Sequence, residues 1–120
     1  MASTVITSET AKLDFVEYVQ DTLAILLGYS DPRGKLIDVT GWFVDMQIRK
    51  TAKDPEPLLY ISTQTGHITL TSGKYNLSIV LSDQETLALG KGEFVYFIRT
   101  KDTQGFVNTL ADGRIILKER

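Results

Sequence analysis

Trp42-Phe43-Val44-Asp45-Met46-Gln47-Ile48-Arg49 is the stretch that decides the fold. Trp42, Val44, Met46 and Ile48 alternate with Asp45, Gln47 and Arg49, so one side of an extended chain is apolar and the other polar. Phe43 breaks the rule, being apolar on the polar side, which makes it a candidate contact with another molecule. Tyr75, Leu77, Ile79 and Leu81 repeat the alternation with Asn76 and Ser78 between them. Two strands with one wet face each predict antiparallel sheets packed on a single core.

Working outward, short extended runs alternate with turn chemistry along the rest of the chain. Phe15–Val19 and Thr22–Leu27 precede Ser30-Asp31-Pro32-Arg33-Gly34, where Pro and Gly occupy turn positions. Thr51–Pro57 holds two prolines that cannot donate to a ladder, so the strand through Arg49 must end there. Leu58–Ser62, His67–Thr71 and Glu93–Arg99 read as further strands. Phe106–Leu110 and Arg114–Lys118 read as a closing hairpin about Asp112-Gly113. Ser82-Asp83-Gln84-Glu85 has the spacing of a capping box and predicts one short helix through Leu89. Eight or nine strands at this spacing predict a β-sandwich. Residues 1–12 are polar around the single pair Val5-Ile6 and read as an N-terminal arm, leaving residues 13–120 as the sandwich domain.

Composition agrees. Val, Ile and Thr number 8, 10 and 14 against 6 Ala, and β-branching favours strands. At 120 residues the chain holds one domain. The absence of cysteine excludes disulfides and thiolate chemistry, and the single histidine excludes a metal site built on two imidazoles. A net charge of −2, with 13 basic residues scattered along the chain, lacks the footprint of a nucleic-acid binder. Residues 1–48 carry seven acids and three bases, residues 49–120 eight acids and ten bases, a mild acidic bias toward one end. No run approaches membrane-spanning length, and the N-terminus lacks a signal-peptide layout, so the expected place of synthesis is a cytoplasm.

Candidate chemistry is thin. His67 stands in Gly66-His67-Ile68-Thr69-Leu70 without a second histidine or a nucleophile pattern, and reads as a structural residue. Asp14 with Glu17, or Asp38 with Asp45, would serve glycoside hydrolysis only across a suitable cleft. Leu89-Gly90-Lys91-Gly92-Glu93 has neither the spacing nor the strand-then-helix order of a phosphate loop, and reads as a helix end. Trp42, Phe43, Tyr60, Tyr75, Phe94, Tyr96, Phe97 and Phe106 are expected mostly in the core, with Phe43 the exposed exception. No catalytic residue, cofactor site or metal site is assigned, and the expectation is a protein that is not an enzyme.

The run Ile37-Asp38-Val39-Thr40-Gly41-Trp42-Phe43-Val44-Asp45-Met46-Gln47-Ile48-Arg49 resembles the signature of small β-sandwich structural proteins of tailed bacteriophages, among them the immunoglobulin-like N-terminal domain of phage baseplate upper proteins. The order of Leu59-Tyr60-Ile61-Ser62, Gly66–Leu70, Leu77–Leu81, Ser82–Leu89, Phe94-Val95-Tyr96 and Leu110–Ile115 extends the resemblance over Phe15–Lys118. It implies an all-β, immunoglobulin-like antiparallel β-sandwich of about eight short strands, with one short helix and the N-terminal arm. It also implies a structural subunit of a tailed-phage virion, at the tail, baseplate or neck or decorating the capsid. Such a subunit is made in the host cytoplasm and binds other phage structural proteins and copies of itself, with no nucleic acid, membrane or cofactor. Val5, Ile6 and Phe43 are the candidate assembly contacts. The alternative is a glycan- or receptor-binding β-sandwich module using exposed aromatics.

Overall fold

The computed structural model describes residues 2–6 by their backbone and residues 10–120 in full. The alternating stretch becomes strand β5 (Phe43–Arg49), with Val44, Met46 and Ile48 buried and Gln47 and Arg49 half-buried on the other side. It pairs antiparallel with β6 (Leu59–Ser62) and with β9 (Gly92–Lys101), which in turn pairs with β10 (Val107–Lys118). Two short strands, β2 (Ala11–Lys12) and β3 (Phe15–Tyr18), lie parallel to β10 along its free edge. These six form one sheet.

The second sheet holds β4 (Leu23–Tyr29), β8 (Leu77–Leu81) and β7 (Ile68–Leu70), paired antiparallel, with β1 (Ala2–Ile6) parallel to β4 at its edge. Placing β4, β8 and β7 on one layer and β5, β9 and β10 on the other reproduces the strand sorting of an immunoglobulin-like sandwich. The chain is therefore an all-β sandwich of two packed sheets, antiparallel except where the N-terminal strands join their edges. Helix α1 (Asp83–Leu89) links β8 to β9. Ser82 accepts the Glu85 amide and Glu85 reaches back to the Ser82 amide, as the spacing predicts.

The inner faces are aliphatic. Ile25, Leu27 and Ile79 of one sheet face Met46, Ile48, Ile98 and Ile115 of the other, all without solvent exposure. This corrects the expectation for the aromatics. Of the eight singled out, only Phe94 and Tyr96 are buried, while Tyr60 and Phe106 are exposed and the rest half-buried. The β-branched residues fill the space between the layers, and four of the rings, Phe43, Tyr60, Phe97 and Phe106, remain on strands or turns whose outer side no second layer covers.

Two further differences concern the chain ends. Asp112-Gly113 is no hairpin turn but lies inside β10, which runs unbroken apart from a bulge between Thr109 and Ala111. Glycine is required there because a β-carbon would stand 1.9 Å from the Leu13 carbonyl oxygen, at a φ of +154°. The close approach comes from the N-terminal chain, which residues 112–113 alone cannot reveal. The segment read as an arm is engaged by backbone pairing: residues 2–6 with β4, and residues 11–12 with β10. Two apolar side chains are too few to anchor an element, but an open sheet edge offers unpaired amides and carbonyls to any extended segment.

Buried polar groups fasten the loops. Asn76 accepts the Tyr29 amide at 2.8 Å and donates to the carbonyls of Tyr29 and Ile37 at 3.1 and 3.0 Å, fixing the loop after β4 to the sheet. The Tyr96 hydroxyl donates to the Leu13 carbonyl at 2.7 Å, and burial pushes its ionisation well above the ordinary tyrosine range.

Candidate functional site

The three candidate contacts do not converge. Val5 and Ile6 lie on β1, in register with Gly28 and Tyr29 at the edge of the four-stranded sheet. Phe43 opens β5 in the other sheet, half-buried and opposite Lys101. It lines a shallow hollow with Arg99, Lys101 and the exposed Val107. The protein thus presents two separate surfaces, a strand edge and a sheet face.

The face is the more developed. Alternation along β5, β9 and β10 turns Gln47, Arg49, Val95, Phe97, Arg99 and Arg114 away from the core. Between them lies a cleft of about 650 Å³ whose floor is Val95 and Phe97. Lys12 and Arg114 form one wall, and each is neutralised: Lys12 Nζ lies 2.7 Å from Asp112, and Arg114 lies 3.2 Å from Asp14 and 3.0 Å from Glu93. The opposite wall is different. Arg49 and Arg99 both lean over the Phe97 ring, their guanidinium carbons 5.8 and 5.5 Å from its centroid. Arg49 donates only to neutral oxygens, the Asp54 carbonyl and the Gln47 amide. Arg99 Nε stands 3.6 Å from Asp45 Oδ1, too far for a hydrogen bond.

Asp45 is itself buried, with its side chain 9% exposed, and its other oxygen accepts the Tyr60 hydroxyl at 3.1 Å. Burial, followed by the Asp45 charge, raises the ionisation of Tyr60. Asp45 Oδ1, Arg49 Nε and Arg99 Nε are buried without hydrogen-bond partners. Unsatisfied buried polar atoms are costly, and here all three belong to one face. The sequence shows Phe97 and Arg99 sharing a side of their strand. The placement of Arg49 beside them comes from cross-strand register, which one sequence does not display.

His67 has partners that its sequence neighbourhood conceals. Its Nδ1 lies 2.7 Å from Thr65 Oγ1 and its Nε2 lies 2.6 Å from Glu85 Oε2, a hydroxyl–imidazole–carboxylate string. Each end of the string is already engaged. Thr65 Oγ1 accepts the Ser62 amide and donates to the Ser62 carbonyl, both at 2.9 Å. Glu85 caps α1, and although burial works against its charge, the Ser82 amide and the His67 contacts outweigh this and hold its carboxyl below the usual range. The arrangement straps the 63–66 turn to the helix.

The carboxylate pairs considered for hydrolysis are drawn to separate partners. Asp38 accepts the hydroxyl and amide of Thr40, which hold its ionisation low. Asp14 meets Arg114, and Glu17 accepts the Tyr18 amide. Gly90 ends α1 with its amide on the Thr86 carbonyl and a φ of +78°, a helix cap rather than a phosphate cradle. Among the described residues, no group of three or more His, Cys, Asp or Glu is placed to hold a metal, and no helix is long and apolar enough to cross a membrane. No family model and no curated protein sequence matches the chain.

Proposed function

We propose that this protein is a structural subunit of a tailed-phage virion, in the tail, baseplate, neck or capsid decoration, and that it acts by binding other virion proteins and copies of itself rather than by catalysis. The observation that carries the reading is β1. Among the described residues, this strand is paired only with β4, along a sheet edge, through backbone groups that any extended segment supplies. Edge addition of this kind is a common way for small sandwiches to join assemblies, because a neighbour's segment satisfies the same amides and carbonyls. The sequence resemblance over Phe15–Lys118 supplies the virion context, and Val5, Ile6 and Phe43 remain the proposed contacts.

The test is mass spectrometry of density-purified tailed particles from a culture that encodes the chain. The expected result is the chain in stoichiometric amount, and particles complete without it overturn the reading. Deleting residues 1–9 spares β2 and is expected to weaken incorporation while the remaining domain still unfolds in one cooperative thermal transition; normal incorporation of the truncated chain contradicts the role given to β1. A second reading, a receptor- or glycan-binding module, draws on Phe106, 64% exposed beside Val107. It predicts binding on a glycan array that is lost in Phe106→Ser.

A further inference from the structure

We propose that the cleft over Phe97 is a docking site for an acidic polypeptide segment of a partner protein, whose carboxylates bind between Arg49 and Arg99. Taking a polypeptide as the occupant rests on the assembly reading above. Four cations, Lys12, Arg49, Arg99 and Arg114, line the cleft; Asp112, Asp14 with Glu93, and Asp45 stand beside Lys12, Arg114 and Arg99, which leaves Arg49 as the lining cation with no ion-pair partner among the described residues.

The distribution of these charges identifies the binding wall. Lys12 and Arg114 already hold carboxylates of their own chain. Arg49 holds no carboxylate and Arg99 only the looser ion pair with Asp45 at 3.6 Å, yet both are drawn over one aromatic ring, so two like charges share a recess. Their Nε atoms are buried without partners, and the free side of a guanidinium is a planar fork that matches a carboxylate. An incoming carboxylate relieves the repulsion and meets the outer nitrogens of Arg99, whose side chain is 42% exposed. Next to the arginines, Phe43 and Val107 extend the face with apolar surface, which suits a segment carrying apolar residues between its acids. A continuous polyphosphate fits less well, because it offers no apolar group to the surface of Phe43 and Val107.

The probe is a fluorescein-labelled Glu-Gly repeat peptide of twelve residues, followed by anisotropy with the full chain at low salt, beside a Gln-Gly peptide and a twelve-nucleotide oligothymidylate. The Glu-Gly peptide is expected to bind, to weaken as salt rises, and to lose at least tenfold in affinity in Arg49→Gln/Arg99→Gln, with partial recovery in Arg49→Lys/Arg99→Lys. Lys53→Gln/Lys91→Gln, which changes cations outside the cleft, leaves it unaltered. Thermal melts establish that the variants fold. No binding of the Glu-Gly peptide, equal binding of the Gln-Gly peptide, tighter binding of the oligonucleotide, or full affinity in Arg49→Gln/Arg99→Gln overturns the proposal. Particles that lack the chain while the purified protein still binds the peptide through these arginines would remove the virion reading and leave the docking site standing.

Discussion

The two sheets share one core and present opposite backs. On the four-stranded sheet, the outward positions of the described side chains are Ala24 and Leu26 of β4, Ser78 and Val80 of β8, and Thr69 of β7, and none is charged. On the six-stranded sheet, the equivalent positions carry Asp45, Arg49, Arg99, Lys101 and Arg114 around Phe97. The inward positions of both are mostly aliphatic, with Phe94 and Tyr96 of β9 the aromatic exceptions. Inner faces answer only to packing, so they converge, whereas outer faces are free to diverge and record what each side meets.

The comparison can be broken at several points, in decreasing order of effect. If the inner faces are equivalent, Ile79→Ala in one sheet and Ile98→Ala in the other should each cost about 3 to 4 kcal/mol by urea denaturation. A difference of more than about 2 kcal/mol between them would mean that one sheet dominates the core. Gly113→Ala should cost about 3 kcal/mol, because the added carbon must push Leu13 off the edge of β10. Amide exchange should then rise in residues 11–18 before it rises in β4. A loss spread evenly over both sheets would contradict that account.

Smaller effects separate the outer faces and the helix between them. Ser82→Ala should cost about 1 kcal/mol in thermal unfolding. Glu85 ionises more easily in the folded protein than in the unfolded chain, so its contribution is complete above the ordinary carboxylate range and fades as pH falls through the lower folded value. Glu85→Gln should accordingly flatten the acid limb of stability against pH, and an unchanged limb would show that the capping box does not set it. Phe97→Leu removes the ring beneath two guanidiniums and should cost about 1 kcal/mol. Val80→Lys on the uncharged back should change the isolated protein by no more than about 0.5 kcal/mol.

The sequence discloses local periodicity well and long-range encounters poorly. The alternation at residues 42–49 and 75–81 defines two strands because a half-buried strand must alternate, and Ser82 with Glu85 marks the helix because the capping box is a four-residue event. Asp112-Gly113 carries the chemistry of a tight turn, yet Gly113 answers to Leu13, 100 residues away. His67 looks solitary because Glu85 reaches it across the fold, from the first turn of α1. The cleft is half legible: Phe97 and Arg99 show their common face, while Arg49 joins them through the pairing of β5 with β9. Residues 2–6 hold too little apolar character to signal a strand, since their place depends on the vacancy beside β4.

The contact between Gly113 and Leu13 works as a keyway. With no room for a side chain, the leading chain can seat against β10 at a single axial setting, since sliding by one residue would bring Asp112 or Arg114 under the Leu13 carbonyl. Strands β2 and β3 therefore keep one fixed register on the domain, and a change at residue 113 is felt along the whole of that edge.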